Sequence, residues 1–87
     1  MLVTRESVAD RLTSFLHDNT PLSELVDWAE RAIMDGQFED GHERDLMEVL
    51  GRIGAADVRN FGLLWTDCVE LLRKLGYEPS VEIRKVS

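Results

Sequence analysis

Thr20-Pro21-Leu22-Ser23-Glu24-Leu25-Val26-Asp27-Trp28-Ala29-Glu30-Arg31-Ala32-Ile33-Met34-Asp35-Gly36 is the stretch on which the fold reading rests. Leu22, Leu25, Val26, Ala29, Ala32 and Ile33 recur at the 3.6-residue period and form one apolar stripe, the mark of an amphipathic helix over 21–35. Thr20 is positioned to cap it, and Pro21 suits the first helical position because the N–H it lacks would be unpaired there anyway. Gly36 reads as a left-handed cap at the other end. Trp28 projects to the edge of the stripe and Met34 falls off it.

The same period appears on both sides. Upstream, Val8, Leu12, Phe15 and Leu16 share one face of a helix expected over 5–18, started by Thr4 and stopped before Asn19-Thr20-Pro21. Downstream, Leu46, Val49, Leu50 and Ile53 give a third helix over 41–53, with Gly54 able to end it. Ala55 to Asn60 reads as a turn or a single helical turn. A fourth helix over 67–75 carries Cys68, Leu71, Leu72 and Leu75 on its stripe, with Thr66 as cap and Gly76 as stop. Asp67 near its start and Arg73 and Lys74 near its end all carry the sign that the helix dipole favours. Beyond Gly76 the period changes to two: Val81 and Ile83 alternate with Glu82 and Arg84, as in a short strand over 80–86. A strand needs a partner, which is either Met1-Leu2-Val3 or a second copy of the chain. The expected fold is mainly α: a compact bundle of four amphipathic helices with a short C-terminal strand.

The chain has 87 residues, which suits a single domain, 1–87, with a thin stability margin. Hydrophobic residues make up 44%, enough for a core and too many for a disordered chain of this charge. The one cysteine, Cys68, cannot form an internal disulfide, and the N-terminal residues lack a secretory pattern; both point to a cytoplasmic protein. No run approaches the roughly 20 apolar residues that span a bilayer.

Specific chemistry is hard to find. The acidic loop Asp35-Gly36-Gln37-Phe38-Glu39-Asp40-Gly41 fails as an EF-hand, because position 6 from Asp35 is Asp40 and position 12 is Leu46 where a bidentate Glu is needed. His17 falls on the polar face of its helix, and His42 has only Asp45 nearby, so neither builds a metal site. Cys68 sits in an apolar arc, where a thiol behaves as a small inert hydrophobe. No G-x-S-x-G, P-loop, G-x-G-x-x-G or H-E-x-x-H occurs. The reading is of a protein that is not an enzyme and has no cofactor or metal. A helix-turn-helix is disfavoured because the second helix exposes Glu24, Asp27 and Glu30 where a nucleic-acid reader carries bases.

Charge is the informative feature. Net charge is −7, and between Glu24 and Glu48 nine acids stand against Arg31 and Arg44, while the remainder holds eight of each sign. All the net charge therefore lies on the second helix, the loop and the front of the third helix. Such a field steers a basic partner. The candidate binding residues are Asp27, Trp28, Asp35, Phe38, Glu39, Asp40, Glu43 and Met47, with Trp28, Phe38 and Met47 as apolar anchors. In size, acidity and four-helix class the chain is similar to bacterial immunity and antitoxin proteins that cap basic toxins. That likeness implies a small protein-interaction domain and transfers no residue role. The alternatives are a regulatory or sensor domain that forms a homodimer through its terminal strand and, third, a small enzyme or metal-binding protein.

Overall fold

Leu2–Val3 forms a strand, β1. It runs parallel to β2, Gln37–Phe38, with Leu2 opposite Gln37 and Val3 opposite Phe38. Gln37 N–H donates to the Met1 carbonyl at 2.7 Å and Glu39 N–H to the Val3 carbonyl at 2.9 Å. The computed structural model describes residues 1–57 and 62–79, so the strand expected over 80–86 lies outside the described residues. Among the described residues, β1 pairs with the loop that follows the second helix.

Four helices account for most of the other described residues: α1 Arg5–Leu16, α2 Leu22–Asp35, α3 Glu43–Gly54 and α4 Trp65–Lys74, with a 3₁₀ turn at Ala55–Asp57. The mainly α bundle read from the periodicity is the observed architecture. Val3, Val8, Leu12, Leu25, Ala29, Leu46, Val49, Leu50, Ile53, Cys68 and Leu72 meet in one core. Each helix contributes the stripe that its sequence marks.

Helix ends differ from expectation in instructive ways. At α1 the Thr4 hydroxyl accepts from Ser7 N–H at 3.0 Å while the Ser7 hydroxyl accepts from Thr4 N–H at 2.9 Å, a reciprocal box. The helix stops at Leu16, not 18, because Asp18 turns left-handed at φ 59°, a conformation that Asp tolerates. Pro21 itself is the N-cap of α2, and the Thr20 hydroxyl pairs with that of Ser14 at 2.6 Å instead of capping. α3 begins two residues late, since Gly41 takes φ 83° in the preceding turn. α4 begins two residues early: the Asp67 carboxylate, not Thr66, accepts from the first amide, Leu64 N–H at 2.9 Å. Its far end is a Schellman closure, with Tyr77 N–H on Leu72 O, Gly76 N–H on Arg73 O and Gly76 at φ 95°.

Gly36 is the larger correction. It is extended (φ −79°, ψ 145°), not left-handed. A Cβ there would run into the Ala32 carbonyl oxygen and lie 2.7 Å from Val3 Cγ2. Glycine is present so that β1 can lie against the end of α2.

Arg5 and Glu39 lock this corner. Arg5 donates its backbone N–H to Glu39 Oε1 at 3.0 Å, its Nε to the same oxygen at 3.2 Å, and Nη2 to Oε2 at 3.1 Å. These bonds, the side-chain ones first, hold the Glu39 carboxyl down at about 2 against an ordinary 4.5. A depressed carboxyl stabilises the fold fully above its unfolded value, and that contribution is lost as pH falls from about 4.5 toward 2. In urea titrations across that window, the wild type is expected to lose stability more steeply than Glu39→Gln. Parallel pH curves for the two proteins would contradict the assignment.

Candidate interaction surface

α2 has two sharply different sides. Leu25, Val26, Trp28, Ala29 and Ala32 are buried, while Ser23, Glu24, Asp27, Glu30, Arg31, Met34 and Asp35 are exposed. The exposed set follows the i, i+3, i+4 rule, so Glu24, Asp27, Glu30 and Met34 run along one side of the helix. Together with Arg11 of α1 and Arg31 they line a shallow hollow. After β2, Asp40 and Glu43 are exposed at the approach to α3, and Glu43 Oε1 accepts from Gly41 N–H. On α3, Met47 is 43% exposed.

Three of the expected contact residues are committed elsewhere. Trp28 is buried in the core, 6% exposed, with the Arg11 guanidinium 5.0 Å above its ring centroid. Projection on one helix placed it at the stripe edge, whereas the packing of α1 against α2 widens the buried side past that edge. Phe38 is half-buried against the core, and Glu39 is held by Arg5. Asp27, Asp35, Asp40, Glu43 and Met47 remain at the surface. Met34, 80% exposed, belongs with them; its place off the stripe was the signal for it.

Ion pairing sharpens the charge map. Glu48 is paired to Lys74 across α3 and α4, which lowers the carboxyl and raises the ammonium. Among the described residues, Glu24, Asp27, Glu30, Asp35, Asp40, Glu43 and Asp45 make no ion pair. Seven acids without an ion pair among the described residues thus lie on α2, the turn after β2 and the first turn of α3, against four elsewhere, Glu6, Asp10, Asp18 and Glu70.

Other chemistry is sparse. Cys68 is fully buried, and burial, then the neighbouring Asp67 charge, pushes its thiol up to about 11, far from a reactive thiolate. His17 is exposed and His42 half-buried. Among the described residues no group of three His, Cys, Asp or Glu side chains is arranged to hold a metal ion. No helix among them is long and apolar enough to cross a membrane. No protein-family model, curated protein or solved structure matches the chain.

Proposed function

We propose that the chain is a non-enzymatic protein-interaction domain that binds a basic protein through the acidic surface of α2, the turn after β2 and the start of α3, acting in the cytoplasm. The carrying observation is the concentration there of acids that make no ion pair among the described residues: Glu24, Asp27, Glu30, Asp35, Asp40 and Glu43 stand exposed, with Met34 in the α2 hollow and Met47 exposed on α3. Like charges held together on a folded scaffold repel one another, and a cationic partner relieves that repulsion. The exposed methionines Met34 and Met47 supply adaptable apolar contact on the same two helices. The likeness in size and charge to immunity and antitoxin proteins fits this reading.

The test must leave Glu39 alone, because reversing it would break the Arg5 lock and confound binding with folding. Asp27→Asn, Asp35→Asn, Asp40→Asn and Glu43→Gln combined remove four charges from exposed positions, and the amide introduced by Glu43→Gln keeps an acceptor for Gly41 N–H. Stability should stay close to that of the wild type. Partner capture from the source cell, quantified for both proteins at low and high salt, is expected to fall at least tenfold in the variant, and salt should weaken the wild type likewise. Equal capture by both proteins would overturn the proposal.

A further inference from the structure

A groove of about 260 Å³ lies between α1 and α4, with Ala9, Leu16 and Leu72 in its lining. A Cβ on Gly76 would lie 4.0 Å from Arg5 Nη1, so the Arg5 side chain reaches the end of α4. From Ala9 to His17 the groove is then roughly 12 Å long. Trp65, 48% exposed, and Tyr77, 41% exposed, both line it. Asp10 and Glu78 supply carboxylates to the same lining. Its volume falls below the roughly 300–1,000 Å³ of small-molecule pockets.

We propose that this groove is a second docking site, which takes a lysine or arginine side chain presented by a partner protein. Apolar walls suit the aliphatic stem of such a side chain. Aromatic rings attract its cationic head, and carboxylates pair with it. Glu78 is bonded to Arg73 at 3.3 Å, but both side chains are well exposed, so that pair contributes little and an incoming cation can replace it. The site shares no residue with the acidic α2–α3 surface, and the two proposals stand or fall separately.

The test is nuclear magnetic resonance of the full chain titrated with acetyl-Leu-Arg-Leu-amide and with its neutral isostere, in which citrulline replaces arginine. The Trp65 indole and the Leu72 and Tyr77 amides are expected to shift, with the arginine peptide binding about tenfold tighter. Asp10→Asn with Glu78→Gln should erase most of that difference while leaving the spectrum otherwise folded, and Trp65→Ala should weaken both peptides. Equal affinity for the two peptides, no binding, or shifts confined to α2 and residues 36–43 would overturn the proposal. So would concentration-dependent shifts of Trp65 without peptide, which would give the groove to a second copy of the chain.

Discussion

Gly36→Ala is expected to destabilise the protein by about 2–3 kcal/mol, and Gly36→Asn by at least as much. The backbone there is extended, which any residue can adopt, so conformational strain is not the cause. Crowding is. The new Cβ would press on the Ala32 carbonyl oxygen, which already accepts the Gly36 N–H at 2.9 Å, and on Val3 Cγ2. Phe38 Cε1 would stand at 3.1 Å on a third side. Either β1 moves away or the end of α2 unwinds, and both loosen the Arg5–Glu39 lock. Urea denaturation measures the loss directly, and the choice of substitutions separates two readings of this glycine. At a left-handed cap, Asn would be tolerated far better than Ala. Similar losses for the two show that close approach is what requires glycine.

Leu50→Ala should cost about 3 kcal/mol, a large share of the roughly 5–10 kcal/mol that holds a small domain together. Leu50 is fully buried on α3, whose most extensive packing is against α2, and truncation leaves a cavity that rigid neighbours fill only in part. For a chain of this length the melting temperature should drop by roughly 12–24 °C. Met34→Ala, at the far extreme of exposure, should move stability by no more than about 0.5 kcal/mol. A Met34→Ala protein as unstable as Leu50→Ala would mean that Met34 is covered and that the proposed surface is wrongly drawn.

The helices were legible because each carries a stripe at one period, and that local signal survives folding: Leu25, Ala29, Leu46, Leu50 and Leu72 are all buried. Helix ends were less legible where a side chain two or three residues inside does the capping. Asp67 reaching back to Leu64 moved the start of α4 two residues upstream and placed Trp65 on a helix. The β1–β2 pairing joins residues far apart in the chain through two-residue strands with no alternation to mark them. Nothing local distinguishes Gln37–Phe38 from an acidic turn.

The candidate surface shows the same division. Exposure of Asp27, Asp35, Asp40 and Glu43 follows from position on a helix or in a turn, and was readable. The burial of Trp28 beneath Arg11 and the capture of Glu39 by Arg5 depend on what α1 does, and no reading of α2 and its loop alone could supply them. The Trp65–Tyr77 groove needs two helices facing each other, so it emerges only in three dimensions.

Amide hydrogen exchange of the chain, free and bound to the basic protein that it captures, tests the docking surface most directly. Slowed exchange should appear at the ends of α2 and α3 that meet β2 and in residues 36–43, together with loss of the complex at high salt. Protection confined to α1 and α4, or a complex indifferent to salt, would contradict a partner held by the acidic surface.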